Sequence, residues 1–324
     1  MVRVRRGGKW ISPWGKTFAA ATPWPPAGPT QVISDSEHGI NCVVFPETRG
    51  RAAFAMVTFL FWNIHKRPLQ DLIVALAREH EVDVIMLAEC RLPEHVLLEG
   101  LNEGEAHYHF AHGLCEAVRV FTRFSSEFLV PRFESDRISL RHLTLPACIE
   151  VLLAIVHLPS KLHFSEKSMA FECVALSKKI REQEAALGHS RTVVVGDLNM
   201  NPFEDGVTGT EGLHAVMSRE VASRGSRTVQ ERPYPFFYNP MWSRFGDRPD
   251  GPPGTYYYDR SEHVTYFWNI FDQVLIRPEL VPRLDSDGPT VLSKVGGTSL
   301  LAPDGRPDQR GASDHLPILF RLTL

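Results

Sequence analysis

From residue 56 onward, short apolar runs alternate with segments of helical period. Val57-Thr58-Phe59-Leu60-Phe61-Trp62 reads as a strand, and Pro68 suits the first turn of a following helix. Leu69, Leu72, Ile73, Leu76 and Ala77 then recur at i, i+3, i+4, i+7 and i+8, which predicts one buried helical face. Val82 to Leu87 returns to a strand, and Ile149 to Leu158 predicts a long buried one. Met169, Cys173, Leu176 and Ile180 share a helix face before the Val-rich strand Arg191 to Gly196. Residues 230–260, dense in Pro, Gly and aromatics, predict a long ordered loop, and Phe271–Ile276 and Leu316–Leu322 close as strands. The rhythm is that of an α/β protein with no internal repeat, and period alone leaves a doubly wound parallel sheet open.

Residues 1–55 break this rhythm. They are rich in Pro, Gly, Ala and Trp, with no sustained period, and Arg3, Arg5 and Arg6 are not followed by the apolar stretch of a secretory signal. Three readings stand: a disordered tail, a small extension peculiar to this protein, or a start site placed upstream of Met56. The expected division is an N-terminal extension over 1–55 and one α/β domain over 56–324.

Charge and cysteines narrow the chemistry. The net charge is -3, but residues 1–55 carry seven Lys/Arg against three Asp/Glu, leaving the remainder at -7. A protein that held nucleic acid by phosphate neutralisation alone would show a basic excess. An acidic remainder fits a site whose positive charge comes from a cation held by carboxylates. The five cysteines are scattered and never in C-x-x-C spacing, which argues against a zinc ribbon or a disulfide framework and points to a reducing, cytoplasmic setting. No apolar run approaches the ~18 residues of a membrane span, so stable membrane insertion is not expected.

Candidate chemistry lies where polar residues end apolar strands. Asn63, Glu89, His157, Asp197 with Asn199, Asp272, and Asp314 with His315 all stand at such tips. Sheets of this kind place ligands outside strand ends, so these tips can converge on one site. What converges is carboxylates, carboxamides and imidazoles without cysteine, a donor set suited to Mg²⁺ or Mn²⁺. Each piece alone also fits a turn residue, a solvated charge or a helix cap, and the whole series in this order is much harder to explain so.

Trp62-Asn63-Ile64, Leu87-Ala88-Glu89, Gly196-Asp197-Leu198-Asn199, Phe271-Asp272-Gln273-Val274-Leu275 and Ser313-Asp314-His315-Leu316-Pro317 resemble the ordered motifs of the endonuclease/exonuclease/phosphatase superfamily. The resemblance runs from about Met56 to the C-terminus. It implies a four-layered α/β sandwich, two mainly antiparallel sheets packed face to face with helices outside, in place of a doubly wound sheet. It implies that Glu89 binds the metal, with Asn63 beside it and Asp314 as a further ligand. Asp197 would orient or deprotonate the attacking water, and Asn199 would hold a phosphate oxygen and position Asp197. His315, oriented by Asp272, would contact phosphoryl oxygens or act as base. His157, in Val156-His157-Leu158-Pro159-Ser160-Lys161, would protonate the leaving oxygen or bind phosphate, although a histidine capping a strand is the plain alternative. Lys161 is a weaker candidate for a phosphate contact.

The implied activity is divalent-metal-dependent phosphodiester hydrolysis, with DNA or RNA as the leading substrate. The signatures of inositol polyphosphate 5-phosphatases and the disulfides of secreted nucleases are absent, and the tryptophan-rich loops of abasic-site endonucleases are not clearly present. The specificity position holds Tyr234 to Trp242 and Gly254 to Tyr258, interleaved with Arg232, Arg244, Arg248 and Arg260. Tyr238 and Trp242 could stack on bases, or the aromatics could form a cluster that pins the loop. A phosphatase or phosphodiesterase acting on a lipid headgroup or small phosphoester is the alternative enzyme. A non-catalytic binding module that kept the fold is a third reading, disfavoured because every motif position is intact.

Overall fold

The computed structural model describes residues 55–324 except 163, 249, 250 and 262. The expectation for the N-terminal extension therefore lies outside the described residues, as does Cys42. Apolar, β-branched segments form eight strands in the first part of the chain: β1 (Met56–Asn63), β2 (Val84–Ala88), β3 (His109–Phe110), β4 (Val118–Thr122), β5 (Leu129–Glu134), β6 (Ile138–Leu143), β7 (Val151–His157) and β8 (Thr192–Asp197). Helices α1 (Gln70–Glu79) and α2 (Glu94–Leu101) flank β2, and α3 (Glu166–Leu187) connects β7 to β8.

The strands form two large mixed sheets. The first runs Thr290–Val291, Ile318–Thr323, β1, β2, β4, β3, and only its β1–β2 pair is parallel. The second runs β5, β6, β7, β8, Asp272–Ile276, Phe237–Tyr238, Ala215–Val216. Its β7–β8 pair and its last pair are parallel and the others antiparallel. Alternation along the second sheet sorts its side chains into two clusters. Leu153, Ile155, Val193, Val195, Val274 and Ile276 join Phe59, Phe61 and Phe320 of the first sheet in one core. Leu152, Ala154, Val156 and Val194 turn outward to Met169, Cys173, Leu176 and Ile180 of α3. Each of these four α3 side chains is fully buried, worth ~1.5–3 kcal/mol for a side chain of leucine size. The result is the expected α/β sandwich.

Helix α3 starts at Ser165, whose side chain accepts from Ser168 N, and stops at Gly188 in the left-handed region at φ 71°. A buried ion pair fastens it to the second sheet: Arg277 Nε donates to Glu184 Oε1 at 2.8 Å, and Thr192 Oγ1 donates to the same oxygen at 2.6 Å. Two expectations change. Helix α1 begins at Gln70, with Pro68 just outside it. The segment 230–260 is less of a loop than its composition suggested, because Phe237 and Met241 are fully buried and Phe237–Tyr238 enters the second sheet. Of the aromatics there, Tyr234, Phe236 and Phe237 are buried, while Tyr238, Trp242, Phe245 and Tyr256 to Tyr258 are only partly so. No helix among the described residues is long and apolar enough to cross a membrane.

One glycine fixes how closely β7 and β8 approach. Gly196 has φ 151°, and a Cβ built on it would lie 1.9 Å from Val156 O. The close approach at Val156 and Gly196 directly precedes the His157–Asp197 pair in the parallel register. Gly196→Ala should therefore cost roughly 3 kcal/mol or more, since backbone on both strands must move. Denaturant titration of the variant checks this, and a change within about 0.5 kcal/mol would contradict it.

Candidate active site

Register places the polar tips side by side. His157 pairs with Asp197 across β7–β8, and Asp197 pairs with Asp272 across the next ladder. In-register residues share a sheet face, and these three share the parity of Ile155, Val195 and Val274, which face the first sheet. From the first sheet, Asn63 at the end of β1 lies in register with Ala88, directly before Glu89. Phe61 pairs with Ile318, which brings the 313–315 segment to the same end.

Asp197 is 1% exposed and is held from both sheets. Asn63 Nδ2 donates to its Oδ2 at 3.0 Å, and the Asn199 backbone N donates to its Oδ1 at 2.8 Å. His157 Nε2 stands 3.7 Å and His315 Nε2 3.9 Å from that Oδ2. His157 Nε2 is also 3.6 Å from Glu89 Oε1, so this imidazole bridges two carboxylates. Asn199 sits in the left-handed region at φ 51°, and its Nδ2 donates to Leu158 O at 3.0 Å. Its carboxamide donor is thus engaged in bracing the loop.

The second imidazole is locked more tightly. His315 Nδ1 is 2.8 Å from Asp272 Oδ2, and Asp272 is fully buried. Trp62 Nε1 donates to His315 O at 2.8 Å, and Ser313 Oγ donates to Asn63 O at 2.7 Å, tying the segment to β1. Burial alone would push His315 down, but the Asp272 and Asp197 charges outweigh it and hold its pKa up at about 10. At neutral pH this ring is an imidazolium, suited to donating to an anion rather than to acting as a base.

A left-handed turn closes the other side. His65 and Lys66 have φ 47° and 60°, and Glu89 has φ 50°. Backbone of this kind is uncommon away from glycine and asparagine and concentrates at functional sites. Lys66 Nζ pairs with Glu89 Oε2 at 3.2 Å, and His65 Nδ1 lies 3.5 Å from Asp314 Oδ2. Burial pushes the Glu89 carboxyl up, but His157, Lys66 and His65 outweigh it and leave it below the ordinary carboxylate range. Four carboxylates (Glu89, Asp197, Asp272, Asp314) thus meet one lysine and three imidazoles, an oxygen-rich set that fits a hard divalent cation.

The remaining sequence-predicted residues fall at different distances from this cluster. Lys161 pairs with Glu204, and its Nζ lies 5.4 Å from the Phe271 ring centroid, next to Asp272 in sequence. Trp242 packs at 6.2 Å against Phe203, which also touches Phe245 and Tyr266. Tyr238 is not brought to the cluster. It pairs with Ile276, the end of its strand away from Asp272, and Arg219 lies over its ring. Tyr256 of this loop does reach the site, its ring centroid 4.7 Å from His315 and 5.2 Å from Phe271. Burial and the Asp314 and Asp197 charges push its hydroxyl up to about 12. Thr255 Oγ1 accepts from the Asp272 backbone N at 3.2 Å. Tyr256 and Thr255 lay inside the Gly-Thr-Tyr-Tyr-Tyr run, but nothing in that run marks which residues turn toward the strand tips.

Water attack on a phosphodiester needs an anion to direct the water, donors for the phosphoryl oxygens and neutralisation of charge. Carboxylates and imidazoles at the meeting edge of two sandwiched sheets supply that combination, and the protein is a metal-dependent phosphodiesterase. It belongs to the Endonuclease/Exonuclease/phosphatase family, whose sequence profile matches residues 60–315. Truncated TDP2 of Caenorhabditis elegans shares the fold, with 14% identity, a TM-score of 0.51, and 83% of this chain and 98% of that one covered. So does a family protein from Bacteroides thetaiotaomicron, at 14% identity and TM-score 0.51, covering 83% of this chain and 95% of that one. No protein with a curated description matches in sequence.

The His315 shift has a consequence for stability. A group whose pKa is raised on folding from about 6.5 stabilises fully below that value and loses its contribution as pH rises toward its folded pKa of about 10. The wild type should therefore lose stability relative to Asp272→Asn between pH 7 and 10.5. Paired denaturant curves across that range check the sign, and a gap that stays constant or grows in favour of the wild type would contradict the ion pair.

Proposed function

We propose that this phosphodiesterase is a nuclease that cleaves a DNA or RNA backbone by in-line attack of water, with Mg²⁺ or Mn²⁺ as its metal. The observation that carries the reading is the buried Asp197 carboxylate, held by Asn63 from one sheet and flanked at under 4 Å by imidazoles on two sides. Asp197 orients the attacking water and takes its proton, with the Asn199 backbone N–H fixing the carboxylate. His315, held charged by Asp272, donates from Nε2 to a non-bridging phosphoryl oxygen. His157 protonates the leaving oxygen or binds the phosphate, its ring positioned between Glu89 and Asp197. Glu89, Asp314 and the Asn63 carboxamide would hold the metal ion, which would supply positive charge next to the phosphate. Lys66 and His65, paired with Glu89 and Asp314, stand beside the proposed ligands and would be free to meet the substrate anion if a cation took those carboxylates.

Aromatics support a polynucleotide. Tyr256, which contacts both His315 and Phe271, and the separate Phe203–Trp242–Tyr266 group offer flat faces, and stacking contributes about 1–3 kcal/mol per base. Lys161, paired with Glu204 and next to the Phe271 ring, would contact a flanking phosphate on leaving Glu204. The free thiols of Cys90, Cys115, Cys148 and Cys173 suit a cytoplasmic setting. A second reading, a lipid-headgroup phosphoester, draws on one observation: Leu162, Val264 and Phe267 are at least half exposed on the segments flanking Phe271.

The test is initial rate on labelled single- and double-stranded DNA, RNA, sphingomyelin and inositol phosphates, for wild type and Asp197→Asn. Polynucleotide cleavage is expected, and Asp197→Asn should slow it by on the order of 10²–10⁴ while leaving the melting curve in place. Turnover of sphingomyelin alone would replace the nuclease reading, and an active Asp197→Asn would remove Asp197 from the chemistry.

A further inference from the structure

A second group of ligating side chains stands at the opposite end of the second sheet. His142 lies on β6, Glu150 immediately precedes β7, and His189 follows the Gly188 cap of α3. One ligand atom from each lies within 4.8 Å of the other two. His142 pairs in register with Leu152, five residues before His157, so the group is roughly 17 Å along β7 from the phosphodiesterase site.

Its details are those of a built site. His142 Nε2 is 3.3 Å and His189 Nε2 4.0 Å from the same oxygen, Glu150 Oε2. Both Nε2 atoms are buried and make no hydrogen bond, and the His189 side chain is only 5% exposed. Buried ring nitrogens in proteins are ordinarily satisfied, so two unsatisfied ones aimed at one carboxylate call for a shared partner. The frame is fixed by backbone: Leu152 N donates to Arg191 O at 2.8 Å, Arg191 Nε donates to Glu150 O at 2.8 Å, and Gly188 takes φ 71°.

We propose that His142, Glu150 and His189 form a second metal site, which takes a borderline transition-metal ion of the Zn²⁺ type. Imidazole nitrogens select zinc, copper or nickel over magnesium, and a two-histidine, one-carboxylate set leaves a fourth tetrahedral position. Zinc bonds of about 2.0–2.2 Å put neighbouring donors about 3.4 Å apart, close to the 3.3 Å already present at His142. Glu150 is half exposed, so it can close the remaining gap to His189, and water reaches the fourth position from its side. Arg191 N donates to His189 Nδ1 at 3.2 Å, which places the neutral ring's proton on Nε2. Metal binding moves that proton to Nδ1 and gives up this long bond. The bound ion would clamp the C-terminal end of α3 to β6 and β7, stabilising the fold far from the hydrolytic chemistry.

The experiment uses the full chain, stripped by chelator and then kept in millimolar Mg²⁺ to fill the oxygen-rich active site. Zn²⁺ is titrated against a chromophoric competitor, and melting curves are recorded with and without zinc. One zinc per chain is expected, weakened at least tenfold by Glu150→Ala and by His142→Ala, with a zinc-induced rise in melting temperature in the wild type alone. Glu150→Ala removes an exposed side chain and leaves the core intact, so loss of zinc in it reports the site rather than unfolding. Cobalt gives a second readout: the intense visible absorption of tetrahedral Co²⁺ should appear in wild type and vanish in both variants. Equal zinc affinity in wild type and Glu150→Ala, or no zinc taken up by the wild type, would overturn the site.

Discussion

A carboxylate buried as deeply as Asp197 needs hydrogen bonds and positive charge around it, and the fold is arranged to bring both. Asn63 reaches it from the first sheet, Asn199 N from its own loop, His157 from β7, and His315 from the C-terminal segment. Asn63 and His315 reach Asp197 only if the two sheets meet at this edge. The large shared core does that, by packing Phe59, Phe61 and Phe320 against the inner faces of β7, β8 and the Asp272–Ile276 strand. Burial of apolar side chains therefore sets the geometry of an anion that no apolar environment would tolerate alone.

The same economy explains where unusual backbone gathers. His65, Lys66, Glu89 and Asn199 all adopt positive φ within the cluster, and Gly196 allows β8 to approach Val156 more closely than any side chain would permit. Such residues persist where surrounding contacts over-determine them. Here Lys66 N donates to Glu89 O at 3.0 Å and Glu89 N to Ala117 O at 3.2 Å, so neighbouring strands hold the turn in place. Local stability is given up to set charges in place, and the two cores supply the surplus.

Much of this was legible in the sequence, for a physical reason. A polar residue ending a run of buried apolar ones must find partners, and Asn63, Glu89, His157, Asp197, Asp272 and His315 each end or adjoin such a run. The order of those tips carried the family resemblance and, through it, the sandwich. Residues 100–148 were not legible, because β5 exposes Val130, Pro131 and Arg132 in succession and so lacks a clean alternation. The aromatic run at 234–242 left stacking on a substrate and packing of the loop equally open. Phe237 and Met241 belong to the interior, and Tyr238 enters its sheet beside Ile276, at the end remote from Asp272. Sequence spacing does not say which end of a strand a neighbour will join, and only the pairing register does. The His65–Lys66 turn carries none of the glycine or asparagine that usually announces positive φ, so its place over Glu89 and Asp314 had no local signal.

The proposed oxygen-rich cation site at Glu89, Asp314 and Asn63 would work together with Asp197 and the two imidazoles. Its most direct test is the initial rate of polynucleotide hydrolysis after exhaustive chelation, followed by graded return of Mg²⁺ or Mn²⁺, in wild type and Glu89→Gln. The account predicts that wild-type activity vanishes in chelator and returns saturably with either ion, while Glu89→Gln requires at least about tenfold more metal for half-maximal rate. Full activity in chelator, or an unchanged metal requirement in Glu89→Gln, would contradict it.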